Sequence, residues 1–227
     1  MKKILFVEYW DIEDRARDQE VLAAIGHNLK LGFDRVYLVY SGTNQLPFNT
    51  VGTVEILKLD RLTFDIFLKA VDTYADGPAL FILTNADIAL DPNLLLGNFP
   101  PAGVVYALTR HEMNGELYSA REFSQDTWVM LAQPILKGAI LQSSFPLGVP
   151  GCENRFAEIL WSIGFRVINP SLTFVNYHYQ AKESVYERDY RIYGCYRTIP
   201  PSDVKGPFEE GKLVYFHRNL EKPFIIC

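Results

Sequence analysis

Short all-apolar runs alternate along this chain with segments whose apolar residues return every three or four positions. Ile4–Val7 is apolar throughout, as expected of a central parallel strand buried on both faces. From Arg15 to Leu31 the residues Val21, Leu22, Ile25 and Leu29 share one helical face, and Gly32 follows as a stop. Arg35–Ser41 and Thr53–Leu59 read as the second and third strands. Thr63 can cap a helix whose stripe is Phe64, Phe67, Leu68, Val71 and Tyr74, and Asp76-Gly77-Pro78 closes it before the fourth strand, Ala79–Thr84. Asp91-Pro92 has the form of an N-cap followed by a first-turn proline, and Gly103–Arg110 is a further strand. A loop-rich stretch leads to FSQDTWVMLA. A late helix then carries Phe156, Ile159, Leu160 and Ile163 on one side and stops at Gly164. VINPSLTFV is strand-like. From Tyr177 onward the chain is rich in tyrosine, charge and proline, and little regular structure is expected there.

Strands alternating with helices predict an α/β fold, a three-layer sandwich around a mostly parallel central sheet. No repeat, low-complexity segment or linker divides the 227 residues, which fit a single domain. Apolar content of 48% suits a soluble globular chain, and the net charge of −5 gives no strong nucleic-acid signal. Cys152, Cys195 and Cys227 are too far apart in sequence to suggest a disulfide framework or a cysteine zinc site, so a cytoplasmic setting is expected. The apolar part of MKKILFVEYW is too short for a signal peptide, and no run reaches membrane-spanning length.

Candidate chemistry begins at FILTNADIALDP, where the fourth strand runs directly into Asn85, Ala86 and Asp87. In open α/β sheets ligands bind outside the carboxyl ends of the strands, and a carboxylate there suits a hard divalent cation. The alternative is an Asx turn that only launches the segment at Asp91-Pro92. No Gly-rich dinucleotide fingerprint, Gly-Lys-Ser/Thr phosphate loop or Gly-X-Ser-X-Gly elbow occurs, and the four histidines show no close metal-ligand pairing.

An apolar strand ending in this triplet resembles the Asp-X-Asp step of glycosyltransferases with the GT-A fold, the fold of nucleotide-diphospho-sugar transferases. RLTFDIFLKA, TNADIALDP, ALTR, SQDTW, PLGVPGCENRFAEIL and VINPSLTFVNYHY are similar to the ordered blocks of a small group of this kind, from about Arg61 to Tyr179. The resemblance implies a single domain with a nucleotide-sugar-binding half (about 1–110), an acceptor-binding half (about 111–180) and a C-terminal extension (181–227). It implies transfer of a sugar from a nucleotide-sugar to an acceptor hydroxyl on a glycan or other molecule, assisted by a divalent cation, Mn2+ or Mg2+. Asp87 and His178 are the implied metal ligands. Asn85 stands where the pattern has an acid, so the site carries one carboxylate fewer, and its amide suits a hydrogen bond to a ribose or sugar hydroxyl.

Glu153 resembles the acid that such enzymes place before the late helix, and it is preferred to Asp126 as catalytic base; alternatively Glu153 or Asn154 simply caps that helix, and Asp126 binds acceptor hydroxyls or holds its loop through backbone hydrogen bonds. Arg61 and Arg110 follow strand ends and suit phosphate oxygens, though a single arginine is usually a solvated one. Tyr9 and Trp10 end the first strand and can stack on a nucleobase or form partial core; Asp60 is a base-edge acceptor or a turn acid. Two rival functions share the strand-end acid: a sugar-phosphate nucleotidyltransferase, against which EYWDIED stands in place of a Gly-rich basic loop, and a non-catalytic nucleotide-sugar-binding module.

Overall fold

The computed structural model describes residues 1–46, 53–180 and 191–216, with the backbone of 224–226; Cys227 and much of the expected C-terminal extension lie outside the described residues. A seven-stranded sheet organises the chain. Its strands are β1 (Lys2–Tyr9), β2 (Arg35–Tyr40), β3 (Val54–Leu57), β4 (Ala79–Thr84), β6 (Val104–Leu108), β7 (Thr127–Leu131) and β8 (Arg166–Ile168), in the spatial order β3-β2-β1-β4-β7-β6-β8. Neighbours are parallel except at β7, which runs antiparallel to β4 and β6. The sheet is thus mostly parallel, as the strand and helix alternation predicts.

Side-chain parity shows why the central strands are apolar without interruption. Ile4 and Phe6 of β1, with Phe81 and Leu83 of β4, pack on one face against Phe64, Phe67, Leu68 and Val71 of helix α2 (Phe64–Thr73) and Phe156 and Leu160 of helix α4 (Cys152–Ser162). Leu5 and Val7, with Leu80 and Ile82, pack on the other face against Val21 and Ile25 of helix α1 (Arg15–Leu29). Helices on both faces bury the central strands β1 and β4 twice, and the arrangement is compatible with a three-layer sandwich. Burying side chains of this size contributes about 1.5–3 kcal/mol each.

Several local expectations change. Asp91 does act as an N-cap, accepting from the Asn93 amide at 2.9 Å, but only the 3-10 turn Pro92–Leu95 follows. Thr63 precedes α2 without capping it, its hydroxyl turned to the Asp65 carboxylate. Neither Glu153 nor Asn154 caps α4. That position is Gly151, at φ 84°, where a β-carbon would lie 1.9 Å from the buried Tyr196 hydroxyl. Helix α3 (Lys137–Gln142) was not expected, and VINPSLTFV is a strand only over β8.

The expectation of little regular structure beyond Tyr177 is overturned. Tyr177–His178 (β9) pairs antiparallel with Ile88–Ala89 (β5), and β10 (Gly194–Arg197), β11 (Leu213–Phe216) and β12 (Phe224–Ile226) form an antiparallel sheet against α4. All are short, and β10 and β11 are only partly buried, so no continuous apolar run announces them. Among the described residues no helix is long and apolar enough to cross a membrane. Cys152 and Cys195 are free thiols.

Candidate functional site

The chain leaves β1 toward β2 on one side and later returns as β4 on the other, so the sheet order reverses between β1 and β4. A crevice at the carboxyl ends of the strands is expected at such a reversal. There the structure opens a cleft of about 450 Å³, lined among others by Trp10, Arg17, Arg61, Asn85, Asp87 and Gly148.

Topology gathers the polar residues. The antiparallel pair Thr84↔Thr127 sets the end of β4 beside the start of β7, and Leu108↔Thr127 brings the end of β6 to the same place. The residues just outside these ends therefore meet. The Asn85 amide donates to the Asp126 carbonyl at 3.0 Å and its side chain to Asp126 Oδ1 at 3.0 Å; Arg110 Nη1 donates to the same carboxylate oxygen at 3.2 Å. The β5–β9 pair places Ile88 opposite His178, so the His178 ring reaches Asp87, with Nε2 3.2 Å from Oδ2. Asn28 of α1 holds β5 from the other side through the Ile88 carbonyl (2.8 Å) and the Leu90 amide (2.9 Å).

Helix α1 also supplies Arg17, whose Nη2 donates to Asp87 Oδ2 while Nη1 donates to Glu20 at 3.1 Å and to the Tyr179 carbonyl at 3.1 Å. Glu112 lies between the two groups, 3.6 Å from His178 Nδ1 and 3.5 Å from Arg110 Nε, without a hydrogen bond to either nitrogen. Arg17, Asp87 and His178 thus form one hydrogen-bonded group and Asn85, Asp126 and Arg110 a second, each reaching the cleft wall. Asp87 is not consumed by an Asx turn: its carboxylate faces Arg17 and His178 and lines the cleft.

Two carboxyls at the site, Asp87 and Glu153, are strongly perturbed. Burial works to raise the Asp87 carboxyl, but the hydrogen bond and charge of His178, followed by Arg17, outweigh it and hold the group at about 2. Glu153, in the first turn of α4, behaves in the opposite way. It is deeply surrounded by protein yet keeps partial contact with solvent, and desolvation, reinforced by the negative charge of Asp126, lifts its carboxyl to about 7.

The expected site residues therefore divide. Asn85, Asp87, Arg110, Asp126 and His178 come together and the Asp126 charge acts on Glu153, while of these six only Asn85 and Asp87 line the cleft. Arg61 lines the cleft, donating to Glu8 Oε1 at 3.1 Å and to the Leu147 carbonyl at 2.6 Å. Tyr9 is corrected. It shares the face of Leu5 and Val7, is buried with its ring stacked on Tyr40, and gives its hydroxyl to Asp18 at 2.6 Å; its neighbour Trp10 lines the cleft instead. Arg17, Glu112 and Glu8 were not singled out from the sequence. Glu8 carried a signal: it is the one acid of the otherwise apolar stretch after Lys3, at the carboxyl end of the central strand.

For a divalent ion the donor set fits poorly. Asp87 Oδ2 is taken by a guanidinium and an imidazole, the Asn85 amide nitrogen is turned to Asp126, and no group of three or more His, Cys, Asp or Glu side chains among the described residues is placed to hold a metal. Hard cations want several oxygen ligands. Compared with protein-family models and with curated proteins, the chain matches none of them.

Proposed function

We propose that the protein is a GT-A-like glycosyltransferase that binds a nucleotide-sugar in the cleft between β1 and β4 and moves the sugar to an acceptor hydroxyl. The observation that carries this reading is Asp87, open to a cleft at the switch point of a mostly parallel sheet together with Asn85, Arg17 and Arg61. Guanidinium groups suit the oxygens of a diphosphate, and Trp10, 37% exposed on the same wall, offers a face to a nucleobase. The Asn85 side chain, fixed by Asp126, supports donor hydroxyl recognition.

In this reading the acceptor oxygen attacks the anomeric carbon as the bond from that carbon to the diphosphate breaks. The nucleoside diphosphate leaves with the bonding electron pair. Glu153 takes the acceptor proton; a carboxyl poised at about 7 is matched to that task near neutral pH. Asp126, buried and already bonded to Asn85 and Arg110, is better suited to positioning than to proton transfer.

Incubation with a panel of nucleotide-sugars, following nucleoside diphosphate release with and without glycan acceptors, tests the proposal. Release that disappears in Glu153→Gln is the expected result. Binding of intact nucleotide-sugar with no turnover on any acceptor would instead favour the non-catalytic module. Product formed only from a sugar phosphate and a nucleoside triphosphate would favour the nucleotidyltransferase.

A further inference from the structure

We infer that Arg17, rather than a bound divalent ion, is the cation that meets the donor diphosphate in this cleft. The inference rests on the nucleotide-sugar reading and assigns the residue that neutralises the leaving group. Arg17 stands in the first turn of α1 with its guanidinium held by the Asp87 carboxylate, by Glu20 at 3.1 Å and by the Tyr179 carbonyl at 3.1 Å. It is thus fixed before any ligand arrives, which removes the ordering cost that a mobile surface arginine would carry. Its side chain is 24% exposed and lines the cleft, so a ligand can reach the guanidinium while bulk water is partly excluded.

A divalent ion competes badly for the same place. It would have to share the Asp87 carboxylate, whose Oδ2 already holds Arg17 and His178, beside a permanent positive charge. The resembling motif would offer a second carboxylate, but here that position is Asn85, and its amide donates to Asp126. A planar guanidinium supplies one fixed positive charge where the ion would supply two, here shared with Asp87 and Glu20, and adds directional N–H donors at a phosphate. Arg61 stands on the same cleft wall, held by Glu8 and the Leu147 carbonyl, and supplies a second cation.

Isothermal titration of uridine and guanosine diphosphates into the wild-type chain, in EDTA and in millimolar manganese, separates the outcomes. The expected result is that the preferred nucleotide binds equally in both buffers, within about twofold. Arg17→Ala then weakens it by about tenfold to a hundredfold, the range of a lost charge-assisted hydrogen bond, and Arg17→Lys by less. Because Arg17→Ala also removes a contact between α1 and β5–β9, the wild-type comparison and Arg17→Lys remain decisive if the alanine variant unfolds. Binding that requires manganese, or that Arg17→Ala leaves unchanged in a folded protein, overturns the role of Arg17 while leaving the donor site standing. No binding of either nucleotide or of any nucleotide-sugar in either buffer overturns the donor reading itself, and this inference with it.

Discussion

Replacing Glu153 with glutamine should make the protein more stable and less active at once. In the folded chain Glu153 keeps its proton up to about pH 7, whereas its ordinary value is 4.5. Between those values the folded state binds a proton that the unfolded state has released, so the contribution is complete below about 4.5 and is lost as pH rises through 7. The full shift of about 2.5 units corresponds to roughly 3 kcal/mol, and the partial solvent contact of Glu153 reduces this to about 1–3 kcal/mol. Glutamine keeps the shape of the protonated acid and carries no charge beside Asp126. At pH 8 Glu153→Gln should therefore be about 1–3 kcal/mol more stable than wild type, a rise in Tm of some 2–12 °C for a chain of this size. At pH 4.5 the two should nearly coincide. Urea denaturation at pH 4.5, 6 and 8 reads the difference directly. A variant that is less stable than wild type at pH 8, or a gap that does not change with pH, would refute the electrostatic reasoning and remove Glu153 as a poised base.

Other residues make separate predictions. Asp87→Asn should cost about 2–4 kcal/mol at pH 7 by leaving Arg17 and His178 without their shared carboxylate; because the folded group titrates near 2, the wild-type advantage should persist above about pH 4 and fade as pH drops toward 2, measurable by thermal melts in acid. Asn85→Asp, which restores the acid of the resembling motif, should destabilise by about 1–3 kcal/mol at pH 7.5, since it replaces a hydrogen bond to Asp126 with carboxylate repulsion; denaturation midpoints unchanged from wild type would count against that contact. Gly151→Ala should cost about 2–4 kcal/mol, combining positive φ with overlap on buried Tyr196, and a melting curve checks it. Under the proposed chemistry, transfer should also rise with pH through about 7 in wild type as Glu153 ionises, a limb that a rate profile from pH 5 to 9 would show.

Much of the sheet was readable because its central strands are buried on both faces, and only a continuous apolar run satisfies that environment. Ile4–Val7 and Ala79–Thr84 are such runs, and the stripe of α2 is equally plain. The same feature nearly hid the orientation of β1. In KILFVEYW only Glu8 broke the symmetry, and by strand alternation it set Tyr9 on the opposite side, in the α1 layer, while Glu8 and Trp10 reached the cleft. Strand direction was silent: TWVML has the composition of any inner strand, yet β7 runs antiparallel, and that reversal is what sets Asp126 against Asn85. Asn85, Asp87 and Asp126 were legible as polar residues adjoining apolar strands. Arg17 was not, because RARDQE reads as an ordinary solvated helix start, and only the tertiary placement of α1 over β5 gives it a carboxylate to hold. The tail strands escaped notice because pairing between backbones, rather than an apolar pattern, defines them.

The most direct measurement is a crystal structure of the chain grown with uridine or guanosine diphosphate at saturating concentration. Density for the diphosphate is expected in the cleft between β1 and β4, within hydrogen-bond reach of Arg17 and Arg61, with the base near Trp10. An empty cleft at saturation, or nucleotide bound elsewhere with Asp87 and Arg17 untouched, would contradict the assignment of this crevice as a nucleotide-sugar site.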